Sequence, residues 1–295
     1  MTTARDIDVR PAIDTTLVRR LVDAQFPQWA DLPLRLLDPA GSDHVIHRLG
    51  DDLSVRLPRH AGAIGQAEKE EFWLPRLAPH LPLAVPVPVA VGRPALGYPW
   101  PWAVSRWLDG EVATADGIGD SAEAAGELAA FLRALQGIDV REGVPAPGPA
   151  APLAERDRAT RAAIAAYGDD FGADAMTELW DAALDAPERW EPAVWFHGDF
   201  HTGNLLTVGG RLHAVIDFGS LGVGDPAVDL MVAFTLLSPS ARAVFRDALD
   251  VDEATWLRGR AWALATGLNA HTAYAADHPR IAAQTTRQIR AALAG

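Results

Sequence analysis

From Leu34 to about Trp107, apolar residues come in short runs separated by turn-forming groups: "LPLRLLD", a turn at "PAGSD", "HVIHRLG", the acidic turn "DD", then "LSVRLPR". Such runs predict β-strands. The period then changes in "IGQAEKEEFWLPRLAPHL", where Glu70, Trp73, Leu74 and Leu77 fall at helical spacing and Pro75 is expected to kink the helix or to open a new first turn. "AVPVPVAVG" and "WPWAVSRWL" return to strand character, with prolines that suggest edges or strand ends. The pattern describes a small, mostly antiparallel sheet carrying one helix.

After "LDGE" the texture becomes helical. Asp120 with Glu123 reads as a capping box, and Leu128, Phe131, Leu132 and Leu135 follow the i, i+3, i+4, i+7 pattern of a buried helix face. A proline-rich loop, "REGVPAPGPAAP", precedes a helical segment from Glu155 to Trp190, and "DEATWLRGRAWALATGLNAHTAY" and "RIAAQTTRQIRAALA" close the chain as helices. The expected architecture is α+β and two-lobed. A β-rich N-terminal lobe spans residues 1–105, a hinge 106–110, and a larger α-helical lobe 111–295, with a cleft between the lobes. No internal repeat is visible.

Composition narrows the function. A chain of 295 residues with 49% hydrophobic and 22% charged residues is an ordinary globular protein. No continuous apolar segment is long enough to span a bilayer, so no membrane partner is expected and the reading is cytoplasmic. The absence of cysteine excludes disulfides, thiolate metal sites and a cysteine nucleophile. A net charge of −13 argues against a nucleic-acid partner and favours a cationic ligand if the excess lines a cleft. Lys69 is the only lysine, so arginine supplies every other fixed cation.

The chemistry concentrates in "VWFHGDFHTGNLLTVGGRLHAVIDFG". His197, Asp199 and Asn204 stand in H-x-D-x-x-x-x-N register, and Asp217, Phe218 and Gly219 follow as D-F-G, the order of a kinase catalytic loop and its metal-binding aspartate. Phosphoryl transfer spreads negative charge over the γ-phosphate oxygens, so magnesium must be held by oxygen ligands; Asn204 and Asp217 supply a neutral and an anionic one. Asp199 would accept or orient the proton of the attacking hydroxyl, and "LLTVGGRLHAVI" forms a hairpin that joins the two ligand sets. A competing reading takes His197, Asp199, His201, His213 and Asp217 as a hydrolytic metal site, which leaves Asn204 and the first lobe without a purpose.

"HGDFHTGNLL", "AVIDFG" and "GVGDPAVDL" together resemble the aminoglycoside phosphotransferase family, kinase-like enzymes that phosphorylate hydroxyls of antibiotics and related small molecules. The likeness extends to "VRLPR", "EKEEFWLPRLAPHLP" and "GYPWPWAVSRWLDGE", similar to the family's third strand, following helix and hinge, whereas the segment before Leu34 adds little. The resemblance implies Asp199 as catalytic aspartate, Asn204 and Asp217 as magnesium ligands, His197 as a brace of the loop and Asp225 as its structural support. It also implies ATP or GTP as donor and Trp107 as a nucleotide contact in the hinge.

Two departures stand out. The family's phosphate-holding strand lysine is replaced by Arg56, to be paired with Glu70 on the helix; Lys69 precedes Glu70 directly and cannot serve. The nucleotide turn "DPAGSDH" has one glycine, so its backbone donors would come from Gly41 and Ser42. After D-F-G, "SLGVGDPAVDL" leaves no room for a protein-kinase activation loop, which makes the acceptor small. Between Glu155 and Glu191 there are ten acidic residues against four basic ones, which suits a cationic, aminoglycoside-like acceptor; macrolides and choline- or homoserine-type metabolites are the alternatives.

Overall fold

Contacts separate the chain into two compact units, Met1–Pro79 with Ala84–Asp109 and His80–Leu83 with Gly110–Gly295. The structure, a computed structural model, describes residues 12–38, 43–140, 152–187 and 193–295.

The first unit opens with a helix that the strand-by-strand reading passes over, α1 (Thr15–Gln25). Asp14 caps it by accepting from the Leu17 N–H at 2.7 Å, and Val18, Leu21 and Val22 give it a buried face. Strands β1 (Leu34–Leu36), β2 (His44–Leu49) and β3 (Leu53–Pro58) follow, then helix α2 (Gln66–Leu77) and strands β4 (Pro88–Gly92) and β5 (Trp102–Arg106). They form one antiparallel sheet in the order β1-β2-β3-β5-β4. The proline-bearing β4 lies at its edge, where a missing N–H costs no ladder bond.

α2 buries Glu70, Trp73, Leu74 and Leu77 and runs on through Pro75 to Leu77. Pro75 stands in the last turn, where little of the hydrogen-bond ladder remains to break. α1 and the sheet share one apolar cluster that includes Val18, Leu21, Leu49, Val55, Leu57 and Trp102. Gly92 is dictated by that packing, since a Cβ there would meet the Trp102 ring at 2.0 Å.

The second unit is mainly helical. Its elements in order are β6 (Glu111–Val112), α3 (Ala115–Ile118), α4 (Ala122–Gln136), α5 (Asp157–Phe171), α6 (Ala173–Asp185), β7 (Val194–Phe196), β8 (Leu205–Val208), β9 (Arg211–Val215), β10 (Gly222–Gly224), α7 (Val232–Thr235), α8 (Pro239–Leu249), α9 (Glu253–Tyr274) and α10 (Pro279–Ala294). Helix α4 buries Leu128, Phe131, Leu132 and Leu135, but its cap is Ser121, whose Oγ accepts from the Ala124 N–H at 3.1 Å, rather than Asp120. The hydroxyl simply sits one residue closer to the helix start. No described helix is long and apolar enough to cross a membrane.

Two small sheets frame the loop 197–204 of this unit. β8 and β9 form a hairpin, with β6 as a third strand, and β7 pairs antiparallel with β10. The hairpin turns on Gly209 and Gly210, both at positive φ (58° and 77°), the conformation that a tight two-residue hairpin turn demands. The chain from β7 to β8 and the chain leaving β9 are thereby brought side by side.

Candidate active site

Residues 197–204 connect β7 to β8, and a lattice of backbone hydrogen bonds fixes them. The Ile216 N–H donates to the Asn204 carbonyl at 2.9 Å, and the His197 Nε2 lies 3.0 Å from the Ile216 carbonyl. Both backbone groups of Ile216 are thus held by the loop, which positions Asp217 beside it. Asp217 itself adopts φ +66°, a left-handed conformation uncommon for a side chain with Cβ and typical of functional turns. Phe218 is buried and packs its ring 4.6 Å from that of His197.

His197 is completely buried. Its Nδ1 accepts from the Asp199 N–H at 3.2 Å, which leaves Nε2 as the protonated nitrogen that donates to Ile216. Burial holds this imidazole below its ordinary pKa, in keeping with a neutral ring. It braces the loop as a donor on one side and an acceptor on the other.

Asp199 and Asn204 are joined directly. The Asn204 amide nitrogen donates to the Asp199 carbonyl at 2.9 Å and to its Oδ2 at 3.0 Å, so the amide oxygen of Asn204 is turned away from the carboxylate. His201 Nε2 lies 3.4 Å from the same Oδ2, while its Nδ1 accepts from the Gly203 N–H. Burial pushes the Asp199 carboxyl up, but the hydrogen bond and charge of His201 and the Asn204 amide outweigh it and hold the group below its ordinary value. The carboxylate is 47% exposed, ionised and open to an incoming hydroxyl.

The residue that supports the loop is Asp229 rather than the expected Asp225. Asp229 is fully buried; its Oδ2 accepts from the His197 N–H at 2.7 Å and its Oδ1 from the Gly198 N–H at 2.8 Å. Asp225 does not bond the loop. It caps the turn after β10, accepting from the Ala227 N–H, and forms a two-pronged pair with Arg258 at 2.7 and 3.2 Å. Both acids belong to "GDPAVDL"; an acid in the otherwise apolar run "AVDLMVAF" was the available signal. Gly198 completes the support: at φ +86°, any Cβ would lie 2.4 Å from the Ser220 carbonyl oxygen.

His213 is exposed on β9, and among the described residues no three His, Asp or Glu side chains gather as a metal site of the hydrolytic kind. In the first unit, Arg56 on β3 meets Glu70 on α2, with Nη1 3.1 and 2.9 Å from the two carboxylate oxygens. The Glu70 side chain is 2% and that of Arg56 11% exposed, so the pair is nearly dry. Burial, and then the charge of Arg56, push the His44 imidazole down to about 3. Trp107 is held by its own unit: its N–H donates to the Asp52 carbonyl, its indole N–H to Asp109 at 2.9 Å, and the Arg48 guanidinium stacks 4.7 Å from its ring. Gly41 and Ser42 lie outside the described residues.

The acidic surplus of α5 and α6 is partly answered internally. Arg161 reaches Asp157 and Asp181 at 2.7 Å each, and the Trp180 indole also donates to Asp157. Glu188 and Glu191 lie outside the described residues.

Comparison with known proteins bears on this site. A sequence model of the phosphotransferase enzyme family matches residues 35–263. No curated protein matches. Among solved structures, the GDP and kanamycin complex of APH(2'')-IIIa is similar over 94% of this chain and 98% of its own, with a TM-score of 0.73 at 17% identity. The streptomycin–ATP–APH(2'')-IIa ternary complex is similar over 96% and 99%, with a TM-score of 0.60 at 17% identity. The macrolide 2'-phosphotransferase MphH from Brachybacterium faecium, as apoenzyme, covers 92% and 98%, with a TM-score of 0.60 at 25% identity.

Proposed function

The chain belongs to the phosphotransferase enzyme family and is a small-molecule phosphotransferase; from that premise we propose that it moves the γ-phosphate of a magnesium-bound nucleoside triphosphate to a hydroxyl of an antibiotic-like acceptor, with Asp199 as the catalytic aspartate. One observation carries the assignment: Asp199, Asn204 and Asp217 form a single unit through the Asn204–Asp199 bond and the two hydrogen bonds of Ile216. Phosphoryl transfer leaves the protein little covalent chemistry to do and asks for positioned charges instead.

In this reading the ionised Asp199 orients the acceptor hydroxyl and receives its proton as the oxygen attacks phosphorus. Asn204 and Asp217 would hold magnesium. The fit rests on their donor chemistry: an amide oxygen turned from Asp199 and a carboxylate are hard oxygen ligands, and two suffice for an ion that keeps waters and substrate phosphates in its shell. Bound there, magnesium would neutralise charge on the phosphates. Arg56, anchored by Glu70, is assigned to the donor phosphates, where its planar fork replaces a lysine ammonium.

For the acceptor, the acidic surplus between Glu155 and Glu191 supports an aminoglycoside-like polycation. A macrolide is the second reading, supported by the 25% identity with a macrolide 2'-phosphotransferase. Phosphate transfer from ATP and from GTP to a panel of aminoglycosides, macrolides and small alcohols tests both. Aminoglycoside phosphorylation whose affinity falls as salt rises supports the first; salt-insensitive macrolide phosphorylation with no aminoglycoside turnover replaces it with the second.

A further inference from the structure

The two oxygens of the Asp199 carboxylate have different surroundings. Oδ2 takes an N–H of the Asn204 amide at 3.0 Å and lies 3.4 Å from His201 Nε2. Oδ1 has no hydrogen-bond or ionic partner among the described residues, and solvent reaches it. One oxygen is occupied by the loop and the other is open.

The ring of His201 is seated by the loop itself. Its Nδ1 accepts from the Gly203 N–H at 3.0 Å, so the proton of the neutral imidazole is on Nε2, the nitrogen beside Oδ2. The His201 N–H donates to the Asp199 carbonyl at 3.0 Å, and the Asn204 N–H donates to the His201 carbonyl at 2.9 Å. Gly203 lies so close that a Cβ there would stand 2.7 Å from the ring Cε1. The turn therefore fixes both the place of the ring and its tautomer. A separation of 3.4 Å is longer than a settled hydrogen bond, and contacts of this kind tighten when substrate fills a site.

A second donor at Oδ2 has a physical use. The terminal torsion of an aspartate is broad, so a carboxylate held by one donor can swing its free oxygen away. The Asn204 amide is also assigned to magnesium through its oxygen, so its orientation serves two tasks. His201 has only one.

We propose that His201 is a positioning residue for the transfer: with Asn204 it occupies Oδ2 of Asp199 and so presents Oδ1 to the acceptor hydroxyl. This rests on the phosphotransferase reading of Asp199. In the step, the acceptor O–H gives its proton to Oδ1 while its oxygen forms the bond to the γ-phosphorus. The bond from that phosphorus to the β,γ-bridging oxygen breaks, and the nucleoside diphosphate leaves with the electron pair. His201 touches neither reactant and acts through Asp199. A donor on Oδ2 also draws charge from the carboxylate, so the arrangement favours aim over basicity, which suits a reaction that asks chiefly for placement.

The test uses the whole chain with magnesium ATP and magnesium GTP and, as acceptors, kanamycin, gentamicin, streptomycin and a macrolide. Two amides separate the roles of the two ring nitrogens. His201→Asn keeps an acceptor for the Gly203 N–H, as in an Asx turn, and removes the donor beside Oδ2; His201→Gln reaches Oδ2 with an amide N–H and gives up the acceptor. His201→Asn is expected to lower kcat about tenfold or more, with nucleotide and acceptor KM changed by less than about threefold and the melting temperature unchanged, and His201→Gln to bring kcat within about threefold of wild type. In single-turnover ester formation, His201→Asn should add less than about twofold to the loss in Asp199→Ala, because a residue that acts through Asp199 has nothing to act on without it. Wild-type kcat in His201→Asn, a loss confined to KM, or a Gln variant as slow as the Asn variant overturns the proposal. Equal fold losses in the wild-type and Asp199→Ala backgrounds do the same, and each of these results leaves the role of Asp199 standing. Should His201→Asn melt early, His201→Gln decides alone, and a kcat about tenfold below wild type there overturns it. If the wild type transfers phosphate to none of the acceptors from either nucleotide, the phosphotransferase reading falls and this inference with it.

Discussion

The pair Arg56–Glu70 and the loop 197–204 each present charged groups assigned to one phosphate transfer, yet the two regions hold them by different means. In the loop, almost every restraint involves main chain: Asp229 grips two consecutive N–H groups, His197 spans a carbonyl and an N–H, and Ile216 is tied at both its N–H and its C=O. In the first unit the groups are held by a side-chain pair between a strand and a helix. Main-chain restraint fixes a site by spacing along the chain, so residues a few positions apart must converge. Side-chain restraint works only if strand and helix pack correctly. Loop 197–204 is therefore expected to be sensitive to substitution in its scaffold, and the Arg56–Glu70 pair to loss of charge.

The largest expected effect is on that scaffold. Asp229→Ala leaves the buried His197 N–H and the half-buried Gly198 N–H without their acceptor, at about 1–3 kcal/mol for the buried one. It should lower stability by about 2–5 kcal/mol and activity with it, as denaturant unfolding and turnover will show. Asp225→Ala should spare the loop and instead unpair the buried Arg258. Equal losses of turnover per folded molecule in the two variants would contradict the division of labour between the two aspartates.

Gly198→Ala comes next. It places a methyl 2.4 Å from the Ser220 carbonyl at a φ of +86°, so a destabilisation of about 1–3 kcal/mol is expected, together with loss of turnover. Wild-type turnover in a folded Gly198→Ala would show that the loop tolerates displacement.

In the first unit, Arg56→Ala should raise the nucleotide KM and lower kcat, with little change in acceptor KM, and should lower stability because the buried Glu70 carboxylate loses its guanidinium partner. Arg56→Lys restores the charge and should recover much of both. Failure of lysine to recover nucleotide affinity would mean that the fork, rather than the charge, is what matters.

Acid separates the regions by a smaller effect. His44 in the first unit has its pKa lowered from 6.5 to about 3, so the unfolded chain takes up that proton first and stability falls as pH drops from about 6.5 towards 3; burial of His47 acts in the same direction. In the second unit the two neighbours oppose one another. Asp229, raised by burial to about 7, contributes stability that is present below the ordinary carboxylate range and lost as pH rises through about 7, whereas buried His197 loses stability as pH falls. Melting from pH 7 to 4.5 should therefore be steeper in the wild type than in His44→Gln, by at most about 1.4 kcal/mol per pH unit. Parallel curves would show that His44 is not the group being titrated.

The same distinction explains what was legible in the sequence. H-x-D-x-x-x-x-N followed by D-F-G was readable because a hairpin of fixed length returns the chain to its start, and Arg56 with Glu70 because their strand and helix carry clear periods. Asp229 was less legible: an acid in the apolar run "AVDLMVAF" marks it as unusual, but the two N–H groups it meets are reached only through the fold. Helix α1 has a cap in Asp14 and an apolar face in Val18, Leu21 and Val22, both legible in the sequence.

The central claim is that Asp199 acts on the acceptor hydroxyl while the nucleotide is held elsewhere in the site. A rapid-quench single-turnover measurement with magnesium nucleotide and a phosphorylated acceptor from the panel tests it in wild type and Asp199→Ala. The account predicts that the variant binds the nucleotide as the wild type does but forms the phosphate ester at least ~10²-fold more slowly. Ester formation by Asp199→Ala within a few-fold of the wild-type rate would contradict it.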